Sequence, residues 1–134
     1  MTIFWVYILF PGQSILYMKR RQVRMERSLY SVSDLCTLCG ITRKTLFYYD
    51  RIGLLKPAAR TGSQNFKMYA EEQVSRLKQI RQYRGAGLSL SEIRQILDDP
   101  DAERDRILKG AMKRLEKELR EKEDHIRALK QLME

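Results

Sequence analysis

Residues Tyr30 to Tyr69 read Y-S-V-S-D-L-C-T-L-C-G-I-T-R-K-T-L-F-Y-Y-D-R-I-G-L-L-K-P-A-A-R-T-G-S-Q-N-F-K-M-Y. Ser31-Val32-Ser33-Asp34 has the Ser/Thr-x-x-Asp/Glu form, in which a hydroxyl and an acid three residues later satisfy the orphan amides of a helix start. A helix is therefore expected from near Val32, with Val32, Leu35, Cys36 and Leu38 as its apolar face. Gly40 suits the position just past a helix end, where positive φ is needed, and Thr42 can cap a second helix running to about Arg51. Two short helices around a glycine turn make a helix-turn-helix, an arrangement whose second helix enters the major groove of DNA.

The second helix carries residues suited to that task. Arg43 and Lys44 fall in its first turn, where side chains and helix-terminal amides can meet phosphates and base edges. Phe47 and Tyr48 lie further along, while Leu46 and Tyr49, three apart, are expected in the core. Gly53 ends the helix. Leu54-Leu55-Lys56-Pro57 reads as a short strand, Arg60-Thr61-Gly62-Ser63 as a turn and Phe66 to Tyr69 as the returning strand. A basic hairpin beside a helix-turn-helix is a wing, with Arg60 and Lys67 placed for phosphates that flank the recognition helix. The candidate DNA-binding residues are Arg43, Lys44, Phe47, Tyr48, Arg51, Arg60, Lys67 and Tyr69.

Downstream, Val74, Leu77, Ile80 and, more weakly, Tyr83 or Arg84 recur at helical spacing over residues 70–86, and Gly85 and Gly87 stop that helix. Ser89-Leu90-Ser91-Glu92 is a second capping box, opening a short helix with Ile93, Ile96 and Leu97 inward. Asp99-Pro100 is expected to end it and start the next, with Asp as cap and Pro at the first helical position. From Asp101 to Glu134, Met112, Leu119, Ile126 and Met133 form one seven-residue column, and Leu108, Leu115, Lys122 and Leu129 form its partner. That pattern is a coiled-coil seam. One helix cannot bury its own stripe, so a homodimer is expected through Leu108, Met112, Leu115, Leu119, Ile126, Leu129 and Met133; the competing reading folds the helix back on its own domain. Lys122 in the seam reads as a register device, and His125 on the flank as a solvated or interfacial side chain.

The chain has 134 residues and a formal net charge of +9. Residues 30–97 hold eleven Lys/Arg against five acids, whereas residues 98–134 hold ten against eleven. The basic surface therefore sits with the helix-turn-helix, and a polyanionic partner is indicated because Lys and Arg displace counterions from phosphates. Cys36 and Cys39 are the only cysteines, too few for a disulfide framework and consistent with a reducing cytoplasm. In their C-x-x-C, Cys36 reads as a small core position of the first helix and Cys39 as the residue before the turn glycine, and no metal site or cofactor is expected. With a single histidine and neither a nucleophile–base constellation nor a phosphate-binding glycine loop, no enzymatic activity is expected. Residues 1–18 carry no charge, but their apolar run breaks at Pro11-Gly12-Gln13-Ser14, short of the roughly 20 residues a spanning helix needs. Met25 is an alternative start, which would make residues 1–24 translated leader; the competing reading is a genuine N-terminal extension.

Together, the capped helix at Ser31–Leu35, Gly40-Ile41-Thr42, Thr45-Leu46-Phe47-Tyr48-Tyr49-Asp50, Arg51-Ile52-Gly53-Leu54-Leu55-Lys56-Pro57, Phe66-Lys67-Met68-Tyr69 and Gly87-Leu88-Ser89-Leu90-Ser91-Glu92-Ile93 resemble the MerR family of bacterial transcription regulators. The resemblance implies a mainly α fold: a winged helix-turn-helix DNA-binding domain at 29–98, then a long C-terminal coiled-coil dimerisation helix at 99–134, with 1–28 as an N-terminal extension. It further implies a cytoplasmic dimer, paired by an antiparallel coil, on a near-palindromic operator. Such regulators act by distorting promoter DNA, with RNA polymerase at the promoter as a candidate further partner. Three departures stand out. Phe47 replaces the Arg that usually follows Thr-Leu, Phe66-Lys67 replaces a Tyr-Arg pair, and the chain reads as a short form without an effector-binding domain or cysteines near the coil. Competing functions are an architectural DNA-bending, excisionase-like accessory protein and a membrane-associated adaptor acting through residues 1–24.

Overall fold

A computed structural model of the chain describes residues 28–134. The readings of the N-terminal extension, including Met25 as a start and the apolar run as a membrane segment, fall outside the described residues. The chain divides into two compact units between Arg76 and Leu77.

In the first unit, β1 (Tyr30–Ser31) leads directly into α1 (Val32–Cys39), followed by α2 (Arg43–Arg51), β2 (Ala59–Thr61) and β3 (Phe66–Tyr69). Both helix starts are those expected. The Ser31 hydroxyl accepts from the Asp34 amide at 3.1 Å while the Asp34 carboxylate accepts from the Ser31 amide at 2.9 Å, closing a capping box. Gly40 ends α1 in the left-handed region at φ 61°, and Thr42 caps α2 by accepting from the Thr45 amide at 3.2 Å. The buried face of α1 is Leu35 and Cys39, four residues apart, with Val32 and Cys36 half-buried. Leu38, expected on that face, is 53% exposed. Leu46 and Tyr49 are buried as expected.

The expected strand over Leu54–Pro57 does not form. Gly53 turns the chain at φ 73°, and the amides of Leu54 and Leu55 both donate to the Tyr49 carbonyl at 2.9 and 3.1 Å. Those bonds wrap the chain back against the end of α2, and both leucines are buried core residues. The first wing strand instead begins beyond Pro57, at Ala59. The hairpin turn is displaced to Gly62–Asn65, where the Asn65 amide reaches the Gly62 carbonyl at 3.3 Å. The returning strand forms where expected, and the antiparallel sheet has the order β1-β3-β2 with Tyr30 opposite Tyr69 and Arg60 opposite Lys67.

The division between the units falls within α3 (Glu71–Gly85); the second unit continues with α4 (Leu90–Asp98) and α5 (Arg104–Met133). Its buried residues are Leu77, Ile80, Leu88, Ile93 and Ala111. The second capping box forms at Ser89 and Glu92 with bonds of 3.0 and 3.1 Å. Asp99 does not cap α5. Its carboxylate accepts from the Asp101 amide at 2.9 Å, holding a turn past the end of α4, and α5 starts later, after Glu103, with no side-chain cap. Arg114 fastens α5 by donating to the Gly87 carbonyl at 3.1 Å and pairing with Glu92 at 2.9 Å. Past Leu115 every residue of the helix is exposed. Met112, Leu119, Ile126, Leu129 and Met133 are exposed, whereas Leu108 is half-buried and Leu115 lies against Gly87.

Candidate nucleic-acid interface

Residues of α2 spaced at three and four form its exposed face, which presents Arg43, Lys44, Phe47, Tyr48 and Arg51 to solvent. The Arg43 guanidinium donates to the Ser33 hydroxyl at the start of α1, which ties the two helices at the end where α2 begins. Arg51 lies 5.8 Å from the Tyr48 ring centroid, a cation–π distance one turn apart.

The wing meets that face through Asp50. Arg60 Nη2 donates to both carboxylate oxygens of Asp50, at 3.1 and 2.9 Å, and Lys67 Nζ stands 2.7 Å from the same carboxylate. Lys67 Nζ also sits 4.3 Å from the centroid of the Phe47 ring. One helix residue thus holds the facing cations of both wing strands, and the neighbouring aromatic takes one of them on its π face. Burial pushes the Asp50 carboxyl up, but the hydrogen bonds and charges of Lys67 and Arg60 outweigh it and leave the group below its ordinary value. Around this cluster lies a groove of about 730 Å3 lined by Phe47, Asp50, Arg51, Ile52, Gly53, Lys56, Arg60 and Lys67. Four cations and one carboxylate line it, so the groove suits an anion.

Of the candidate DNA-binding residues, Arg43, Lys44, Phe47, Tyr48 and Arg51 share the face of α2, and Arg60 and Lys67 stand on the adjoining wing. Tyr69 does not. It is 0% exposed, and its buried hydroxyl has no hydrogen-bond partner. The reason is strand alternation: Lys67 and Tyr69 share the inner side of β3, while Phe66 faces out at 60% exposure. Burial, with the charge of Asp50 adding to it and Arg60 partly opposing, pushes the Tyr69 phenol up to about 12. Sequence reasoning missed two residues. In the sequence Lys56 belongs to the expected Leu54–Pro57 strand and to the family motif, and Asp50 to the motif alone. The available signal for Asp50 was a lone carboxylate inside the basic stretch, one helical turn after Phe47. Both cysteines are free, and the core position on α1 is taken by Cys39, which is buried, while Cys36, expected there, is half-buried.

A helix-turn-helix whose second helix lies exposed beside a two-stranded basic hairpin defines a winged-helix protein. Residues 30–99 match the family described as MerR HTH family regulatory protein, and residues 74–134 match the one described as MerR, DNA binding. The chain belongs to the MerR family. The HTH-type transcriptional activator TipA of Streptomyces coelicolor is 40% identical over 74 residues, covering 55% of this chain and 29% of TipA. The crystal structure of MtaN, the N-terminus of the Bacillus subtilis multidrug transporter activator, matches with a TM-score of 0.69 at 29% identity, over 78% of this chain and 97% of that one. EcmrR in a cryo-EM structure of an EcmrR–DNA complex matches with a TM-score of 0.71 at 25% identity, over 78% of this chain and 38% of that one. The chain thus spans less than a third of the length of TipA. Among the described residues, no helix is long and apolar enough to cross a membrane.

Proposed function

We propose that the chain is a cytoplasmic, homodimeric transcription regulator that binds double-stranded DNA sequence-specifically and distorts promoter DNA. The observation that carries this reading is the convergence of the exposed face of α2 with the wing cations. Arg51 on the helix and Lys56, Arg60 and Lys67 beside it line one groove, and Arg43 and Lys44 stand exposed on the same face of the helix. In this reading α2 enters the major groove, with Arg43 and Lys44 at its leading end and Phe47 and Tyr48 towards the bases. Arg60 and Lys67 take flanking phosphates. The relatives support it by name: TipA is a transcriptional activator, and EcmrR was captured on DNA.

The unpaired stripe of α5 supports the dimer. Leu119, Ile126, Leu129 and Met133 are all more than half exposed in one chain, and a second copy of the helix is the surface that matches a heptad seam. Two half-sites then imply a near-palindromic operator, with RNA polymerase at the promoter as the further partner. The test is selection of duplexes from a random-sequence pool by the whole chain, followed by Arg43→Gln and Lys44→Gln. Each substitution is expected to weaken binding and to lower the salt slope by about 0.9 where the lost contact is to a phosphate. Affinity and slope unchanged for both would refute this docking.

A further inference from the structure

Asp50 is out of place on a surface meant for phosphates. A carboxylate repels the duplex backbone, and within a groove lined by Arg51, Lys56, Arg60 and Lys67 it cancels part of the attraction those residues supply. Its geometry shows what it gives in exchange. The Asp50 side chain is 9% exposed and lies under Lys67, at 20%, while Arg60 remains 47% exposed even with both of its contacts to Asp50 made. Lys67 is held between the Asp50 carboxylate and the Phe47 ring, so it anchors the wing. Arg60, directly across the hairpin from Lys67, is held by one nitrogen and keeps the rest of its fork available.

We infer that Asp50 is a specificity-determining residue: by pairing with Arg60 and Lys67 it registers the wing on the recognition helix and withdraws about one positive charge from sequence-independent binding. The inference rests on the DNA-binding reading above. Sequence-independent affinity comes from cations meeting phosphates in any register, whereas operator affinity needs the wing and α2 to engage their contacts at the same time. Neutralising Asp50 therefore acts oppositely on the two. The freed cations bind any duplex better, and the wing loses the tie that aligns it with the bases read by α2.

The experiment uses the full chain, a duplex selected by it from a random pool, and a shuffled duplex of the same composition, titrated across a salt series. For Asp50→Asn, one added effective charge steepens the shuffled-duplex salt slope by about 0.9 and raises its affinity about fivefold at 0.15 M salt, with no matching gain on the selected duplex. The ratio of selected to shuffled affinity is expected to fall about fivefold. A ratio within about twofold of the original, on a wild-type chain that does select a duplex, overturns the inference and leaves the DNA-binding reading standing. A wild-type chain that enriches no duplex overturns both. Should thermal melting show that D50N does not fold, Lys67→Gln decides. Loss of the anchor lowers the ratio, whereas an equal fall on both duplexes marks Lys67 as a phosphate contact alone and sinks the role given to Asp50.

Discussion

Replacing Tyr69 by Phe is expected to stabilise the protein and leave its DNA affinity unchanged, because the side chain lies in the core and not on the exposed face of α2 and the wing. The ring is fully enclosed and the hydroxyl has no partner. Burying such a group without a hydrogen bond costs about 1–3 kcal/mol, and Phe keeps the ring while removing the group. Y69F should therefore gain about 1 kcal/mol, which in a domain of this size raises the thermal midpoint by roughly 4–8 °C. A second measurement comes from alkaline pH. The folded phenol is pushed up to about 12, above its ordinary 10.0, so between those values the unfolded chain loses a proton that the folded chain keeps. The Tyr69 contribution is thus fully present below the ordinary value and is lost as pH rises through the folded one, at up to about 1.4 kcal/mol per pH unit. Denaturant melts from pH 8 to pH 12 should show that slope in the original chain and its absence in Y69F, other titrating groups being common to both. A Y69F chain that is less stable, or that binds the selected duplex more weakly, would mean that the hydroxyl has a partner and that the burial argument is wrong.

Three further outcomes are expected. Ser89→Ala removes the acceptor of the Glu92 amide at 3.1 Å and should cost about 1 kcal/mol, read as a lower thermal midpoint; an unchanged midpoint would show that the capping box is not supporting α4. On the acid side, Asp34, Asp50 and Glu92 are all held below their ordinary values: Asp34 by the backbone and hydroxyl of Ser31, and Asp50 and Glu92 by bonds and cations that outweigh the upward push of burial. Their contribution is present above the ordinary carboxylate range and is lost as pH falls through the depressed values, so the denaturant midpoint should drop there, and D50N should flatten the drop. Leu119→Asp combined with Ile126→Asp places charge in the exposed stripe of α5; sedimentation should show a dimer become a monomer with the winged domain still folded, and an unchanged mass would remove α5 as the pairing helix.

Local signals located most of the elements. Two capping boxes, the Thr42 cap and the left-handed glycines at 40 and 53 act over four residues or fewer, and each helix start they mark is where the structure puts it. The failures share a different cause. Leu54-Leu55 before a proline has the composition of a strand, but its amides are drawn to the Tyr49 carbonyl, a bond that depends on where α2 ends. Asp99-Pro100 has the composition of a helix start, but the carboxylate is taken by Asp101 two residues on. Tyr69 and Asp50 were misjudged or overlooked because their surroundings come from other elements. Asp50 is ten residues from Arg60 and seventeen from Lys67, and strand alternation puts Tyr69 on the same inner side as Lys67. The face of the site was legible in the sequence; its charge balance was not.

That balance gives Phe47 a meaning that the sequence alone left open. In the family this chain belongs to, Arg usually stands there, and an Arg at 47 would set a further cation beside Lys67 with Asp50 as the nearest counter-charge. Phe47 instead offers a ring face 4.3 Å from the Lys67 ammonium, an attraction of about 0.5–1 kcal/mol at an exposed site. That contact, with the Asp50 ion pair, ties the wing to the helix through Lys67. The lysine at 67 suits that position. Lysine, a compact point charge, fits between a carboxylate and an aromatic ring, whereas a planar guanidinium is better suited to a forked phosphate contact. Phe47 and Lys67 therefore meet across the helix–wing boundary, where the ammonium is held between the Phe47 ring and the Asp50 carboxylate.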